Sequence, residues 1–284
     1  MVTTQSYPAD PGGLPTSRRG HSPGPSAPMR STVRGMNTVR RNTRLAAAAG
    51  VGITALLLSG CAFLQPPRTL SDAATVDGTI TAIEIDDNDG GVFVRGVEGA
   101  TGISLERTVR YRGDREIDES HSVDGDTLVL GGCGRNCSVT YTLDVPAGLD
   151  VSGHTENGEV DLTLVHDVDV ETSNGRITLD GVTGTIRAAT SNGRIEGSGL
   201  GGDGGIDVSS STGAIDLRVD VAQDVEARTS NGSIDLVVPD ASYRVDAETS
   251  NGNQDIAVPN DDSGEFTLDL STSNGSITVE SSSR

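Results

Sequence analysis

The sequence predicts an all-β fold: a parallel β-solenoid, β-helix-like, of about 20-residue repeats with an antiparallel β cap at its N-terminal end. Three observations carry that expectation. The tetrapeptide Thr-Ser-Asn-Gly recurs at 172–175, 190–193, 229–232, 249–252 and 272–275, with variants Thr155-Glu156-Asn157-Gly158 and Ser210-Ser211-Thr212-Gly213. The glycines of these seven units step along the chain by 17, 18, 20, 19, 20 and 23 residues, close to the 20–50 residue periods of repeat architectures. Short runs of alternating β-branched and polar residues flank every unit, and no stripe of helical period interrupts them.

Composition agrees with a thin core. The 284 residues include 37 Gly, 41 acidic residues, no Lys, no Trp and 2% aromatics. So few large side chains require that small identical layers stack along a long axis. The net charge of −20 is unevenly placed: residues 1–60 carry seven Arg against one Asp, and Cys61 onward carries fourteen Arg against forty acidic residues. Nucleic acid is excluded as a partner, because neutralising phosphates needs clustered basic residues on the folded surface. The acidity reads as a solvated, self-repelling surface. Asp86-Asp87-Asn88-Asp89-Gly90-Gly91 has the residue types of a calcium loop without its ligand spacing or downstream Glu, and it reads as a hairpin turn.

Along the chain, residues 1–35 are rich in Pro, Gly, Ser and Thr and lack a hydrophobic period. They read as disordered, or as an extension ahead of a true start at Met36. Residues 36–60 hold the three parts of a secretory signal peptide: a basic stretch, an apolar run over 45–58 and small residues before Cys61. That run falls short of the roughly twenty residues of a membrane-spanning helix. Leu58-Ser59-Gly60-Cys61 resembles the bacterial lipobox, which implies lipidation of Cys61 and a membrane partner through the acyl anchor. Residues 61–72, with Pro66-Pro67, read as a tether.

Residues 73–150 read as the capping segment, with strands expected near 79–85, 91–95, 103–111, 127–130 and 138–145. Cys133 and Cys137 remain once Cys61 is assigned to the lipid. An even count in an oxidising compartment pairs them as a disulfide across a Gly- and Asn-rich hairpin loop, contributing about 2 kcal/mol by loop entropy. His21, His121, His154 and His166 are scattered without ligand spacing, so neither a metal site nor a cofactor is expected.

The array occupies 151–284. In the unit spanning 168–181, Val168, Val170, Ile177 and Leu179 share inward parity, and the charged residues and Thr face out. Two architectures fit. Asn-Gly between alternating strands is a hairpin signal, which would stack hairpins into a sandwich with Val170 opposite Leu179. In a solenoid the corners fall on one another at about 4.8 Å, so that Asn amides and Thr or Ser hydroxyls form ladders and Gly supplies positive φ. Independent hairpins have no reason to repeat Thr and Ser before every turn, which favours the solenoid. The repeat turns are then Asn157-Gly158, Asn174-Gly175, Asn192-Gly193, Thr212-Gly213, Asn231-Gly232, Asn251-Gly252 and Asn274-Gly275. The last coil, ending Glu280-Ser281-Ser282-Ser283-Arg284, is expected to form the exposed edge.

Cys133-x-x-x-Cys137, the run 139–148 that follows it and the Ser-Asn-Gly-x-Ile units together resemble the DUF4097 family of adhesin-like bacterial envelope proteins. The resemblance implies a β-solenoid at the extracytoplasmic face of the cell membrane, sometimes linked to envelope stress, and it transfers no catalytic residue. The expected function is therefore a lipid-anchored, non-enzymatic module for adhesin-like binding or envelope structure, with cell-wall polysaccharide or an envelope protein as partner. Its alternatives are an envelope-stress sensor or regulatory partner and, less favoured, a polysaccharide-active enzyme using carboxylates such as Asp161, Asp180, Asp216 and Asp235 paired across coils. Outward Asp on every strand also serves solubility, and no long insertion builds a substrate groove.

Overall fold

A computed structural model describes residues 66–282 except 88 and 203. The signal segment, Cys61 and the first residues of the tether lie outside the described residues. In chain order the strands are β1 (Arg68–Val76), β2 (Ala82–Asp86), β3 (Val92–Val97), β4 (Ile103–Tyr111), β5 (His121–Asp124), β6 (Thr127–Gly131) and β7 (Cys137–Pro146). The array continues as β8 (Asp150–Asn157), β9 (Val160–Thr163), β10 (Val168–Asn174), β11 (Ile177–Asp180), β12 (Ile186–Asn192), β13 (Ile195–Leu200), β14 (Ile206–Thr212) and β15 (Ile215–Val219). It ends with β16 (Val225–Asn231), β17 (Ile234–Val238), β18 (Tyr243–Asn251), β19 (Gln254–Ile256), β20 (Phe266–Asn274) and β21 (Ile277–Ser281).

Each repeat contributes one strand to each of two sheets, and the Asn-Gly corner carries the chain between them. Strand β10 pairs in parallel with β8 and β12, while β11 pairs in parallel with β9 and β13. Val170 therefore lies beside Gly153 and Ala188, and the hairpin pairing with Leu179 does not occur. The chain is a two-sheet parallel solenoid. Val168, Val170 and Thr172 from one sheet meet Ile177 and Leu179 from the other, all at most 2% exposed. Burying one such aliphatic side chain stabilises by about 1.5–3 kcal/mol, so each coil adds a modest, nearly equal increment.

The sheet orders depart from the order of the chain at both ends. One sheet runs β1-β4-β7-β3-β9-β11-β13-β15-β17-β21-β19 and the other β18-β20-β16-β14-β12-β10-β8-β2-β6-β5. The last coil in sequence, β20 and β21, is inserted between the β16/β17 coil and the β18/β19 coil. The exposed edge is thus β18 and β19, where the sequence reading placed it at the C-terminal coil. At the other end, the β2/β3 coil sits inside the β6/β7 coil in the same way.

The N-terminal segment also differs from expectation. Strands β2, β3, β6 and β7 all pair in parallel within the solenoid, so two coils precede residue 151. The antiparallel cap consists of β1 on β4, β4 on β7, and β5 on β6. Strand β1 begins at Arg68, inside the stretch read as tether. Asp86–Gly91 is a solenoid corner between sheets and no hairpin turn: Asp86 registers with His154 and Asp89 bridges Asn157, which puts Asp87, Asp89 and Gly90 in the Thr, Asn and Gly positions of a degenerate repeat. The Cys133–Cys137 loop is likewise the corner of the outermost coil, closed by a disulfide with Cα atoms 5.8 Å apart.

A buried polar knot fastens the cap. Arg107, 4% exposed, forks onto Asp72 at 2.7–3.2 Å and donates to Ser120 Oγ and the Asp118 carbonyl at 2.9 Å. The Tyr141 hydroxyl reaches the carbonyls of Ser120 (2.9 Å) and Gly131 (2.7 Å), and burial pushes this phenol up to about 12. The opposite edge is partly blocked by side-chain amides. Asn260 bonds both the N–H and the C=O of Val245 (3.0 and 3.1 Å), and Gln254 Nε2 donates to the Ala247 carbonyl at 2.8 Å. Groups that would recruit another strand are thereby occupied.

Candidate functional site

Three of the four residues in Thr-Ser-Asn-Gly are consumed by the architecture. Gly175 sits so close to the preceding coil that a Cβ there would lie 1.8 Å from the Gly158 carbonyl oxygen, and the same approach recurs at Gly158, Gly193, Gly213, Gly232, Gly252 and Gly275, at 1.7–1.9 Å. Close approach is the reason for glycine at these corners. Positive φ, expected from the sequence, is found at Gly213 and Gly275 alone among the seven. The threonines answer the carbonyls this packing buries: Thr172 Oγ1 donates to Gly158 at 3.1 Å, Thr190 to Gly175 at 3.1 Å and Thr229 to Gly213 at 3.0 Å. Ser210, Thr249, Thr272 and Thr155 bond the corresponding carbonyls at 2.9–3.2 Å. Each bond contributes about 1 kcal/mol, and its loss leaves a buried carbonyl unpaired.

The asparagines form the outer ladder. Asn157 Nδ2 donates to Asp89 Oδ1 at 2.7 Å, Asn174 to Asn157 at 3.0 Å and Asn192 to Asn174 at 3.1 Å. After a break at Thr212 the ladder resumes, with Asn274 donating to Asn231 at 3.1 Å and Asn251 to Asn274 at 3.2 Å. The hydroxyl ladder expected from the sequence is replaced by hydroxyl-to-carbonyl bonds, because the Thr side chains point inward under the corner.

The serine is the exception. Ser173, Ser191, Ser211, Ser230, Ser250 and Ser273 point outward just before the corner, and among the described residues no hydrogen bond engages their hydroxyls. Beside them runs a second outward row, in which Ser209 registers with Arg228, Arg228 with Ser271 and Ser271 with Glu248. Ser211, Ser230, Ser250 and Ser273, with this second row and Gln254, line a shallow trough of about 640 Å³ on the outer face of the second sheet. Arg228 is held there by Asp269 at 3.0 Å and by Glu226. The trough offers hydroxyls, one guanidinium, one carboxylate and one carboxamide, a surface for many weak hydrogen bonds to a polar, repeating ligand. Its rows come from coils far apart in sequence, and only the swapped order puts Ser273 between Ser230 and Ser250.

The carboxylates singled out in the sequence lie on the other sheet. Asp216 and Asp235 are register neighbours, and Asp161 and Asp180 fall in adjacent rows. Burial raises the pKa of Asp216, Arg194 at 3.0 Å opposes this, and Asp235 adds to the rise. Burial also raises Asp161, helped by the charges of Glu159 and Asp180. Asp180 accepts from Ser198 at 2.8 Å and Asp235 from Ser233 at 3.0 Å, so both serve the local surface. A smaller recess of about 400 Å³ on the same sheet groups Phe93, Glu106 and Asp161 with the Arg95–Asp144 pair.

At the far corners, Asp150, His166 and Asp167 bring three ligand atoms within 4.8 Å of one another, all exposed. The sequence reading missed this group because Asp150 comes from the neighbouring coil. Its oxygens already accept backbone N–H groups, Asp150 from Asp167 at 3.1 Å and Asp167 from Thr185 at 2.7 Å.

Fold and surface together define an all-β solenoid with a hydroxyl-lined outer face. No family model and no curated protein matches the chain. Solved structures do. A putative adhesin from Parabacteroides merdae is 15% identical, covering 76% of this chain and 97% of its own, with a TM-score of 0.43. A putative cell adhesion protein from Clostridium sporogenes is 9% identical over 75% of this chain and 100% of its own, with a TM-score of 0.38. A putative lipid binding protein from Parabacteroides distasonis is 12% identical over 75% and 95%, with a TM-score of 0.40.

Proposed function

We propose that the chain is a non-enzymatic, adhesin-like binding module of the bacterial envelope, of the DUF4097 kind, held at the extracytoplasmic face by lipid on Cys61. Its trough binds a polar cell-wall polysaccharide. One observation carries this reading: the motif repeats a serine that the solenoid does not use, while its Thr, Asn and Gly are all engaged in holding coils together. The Cys133–Cys137 disulfide supports an oxidising compartment. Regularly spaced hydroxyls on a flat sheet match a polymer that repeats its own hydroxyls, each contact weak and their sum useful.

The test is retention of the chain from Ala62 onward on purified cell-wall polysaccharide. The parent is expected to be retained, and the combined variant Ser211→Ala, Ser230→Ala, Ser273→Ala to bind about tenfold more weakly, since three solvent-exposed hydrogen bonds of about 0.5 kcal/mol each amount to that ratio. Equal retention of a variant with unchanged circular dichroism would reject the trough, and retention by no wall fraction would reject the function.

A further inference from the structure

The chain repeats Asn-Gly at six corners, the dipeptide in which an asparagine side chain is most open to attack by the following backbone nitrogen. The solenoid shields five of them. Gly158 and Gly175 donate their N–H to Asn174 and Asn192 carbonyls at 3.1 Å, Gly193 to Thr212 at 2.9 Å, and Gly232 and Gly275 to Asn274 and Asn251 at 3.0 Å. A nitrogen whose proton is held in this way is poorly placed to lose it.

The sixth corner is different because, among the described residues, no coil lies beyond it. Among the described residues no hydrogen bond reaches the Gly252 N–H. Gly252 is also exposed, whereas the other five glycines are half-buried. The loop that blocks this edge covers Val245, and Gln254 covers Ala247, which leaves the corner open.

We propose that Asn251 is a site of spontaneous deamidation, selected from six equivalent dipeptides by its place at the end of the ladder. The Gly252 nitrogen loses its proton to hydroxide and forms a bond to Asn251 Cγ, and the side-chain amide leaves as ammonia to give a succinimide. Water then opens the ring at one or the other carbonyl, yielding aspartate or isoaspartate with no change of oxidation state. Either product loses the Nδ2 donor that now reaches Asn274 Oδ1 at 3.2 Å and the Ser273 carbonyl at 3.4 Å, and puts a carboxylate against both acceptors. The outer coil is loosened beside the trough.

Peptide mapping by mass spectrometry of the folded chain, aged in mildly alkaline buffer, tests this. Asn251 should convert at least tenfold faster than Asn174 or Asn192, and the same chain aged in denaturant should convert all three at comparable rates. Comparable rates in the folded chain would overturn the proposal, as would an advantage for Asn251 that persists in denaturant, since local sequence would then explain it. Asn251→Asp should lower hydrogen-exchange protection over 243–256 relative to the parent. Unchanged protection there would overturn the loosening.

Discussion

A Cβ at Gly193 would stand 1.8 Å from the carbonyl oxygen of Gly175, a distance no side chain can occupy without moving backbone. The neighbouring coils are held on both sides, so the strain has nowhere to relax. Gly193→Ala should cost about 3 kcal/mol or more in denaturant unfolding. Gly102→Ala is the control, since nothing lies within 4 Å of its Cβ position, and it should be near neutral. Equal effects would mean that the corner glycines act through backbone freedom alone. At this scale the sequence was legible in part. Repetition marked the residues that matter, but whether Gly served φ or proximity, and whether Thr bonded Thr or a carbonyl, depends on the distance between coils.

At the scale of one strand row, Asp216 and Asp235 stack in register on the outer face of the first sheet. Asp216 has its pKa raised, first by burial and then by Asp235, against the pull of Arg194. A carboxyl with a raised folded pKa binds its proton more tightly when folded, so stability falls as pH rises from the unfolded value through the folded one. The penalty is complete above the folded pKa and absent below the ordinary carboxylate value of about 3.9. Asp216→Asn should therefore be more stable than the parent at neutral pH, by roughly 0.5 kcal/mol, with the gain fading as pH falls to that value in thermal melts. A variant less stable at neutral pH would show that the Arg194 pair outweighs the repulsion. The alternation of Ile215, Asp216 and Leu217 predicted which face Asp216 takes. Its neighbour in the row could be named only once the parallel register was known.

For the molecule as a whole, the order of coils is the decisive feature. Arg228 registers with Ser271, although the next repeat in sequence offers Glu248 in the same place. A cysteine pair at Arg228 and Ser271 should therefore cross-link on oxidation, since parallel neighbours lie about 4.8 Å apart. A pair at Arg228 and Glu248 should not, because β20 lies between them and a disulfide cannot span two strand spacings. The reverse result, read by mass spectrometry of peptides, would restore the sequential order and move Ser273 out of the middle of the trough.

The amino-acid sequence by itself determined the all-β class, the period, the inward positions such as Val168 and Leu179 and a turn at each Asn-Gly, because all of these are local: alternation, turn chemistry and the need of a short strand to bury one face. That each turn carries the chain between two sheets and does not close a hairpin follows from the parallel register. The order of the end coils, the degenerate corner at Asp87, Asp89 and Gly90 and the identity of the exposed edge were decided by tertiary structure. Every repeat carries nearly the same inward residues and the same corner, so any coil can stack acceptably on any other. In the order adopted, Arg107 and Tyr141 fasten one end and Asn260 and Gln254 the other.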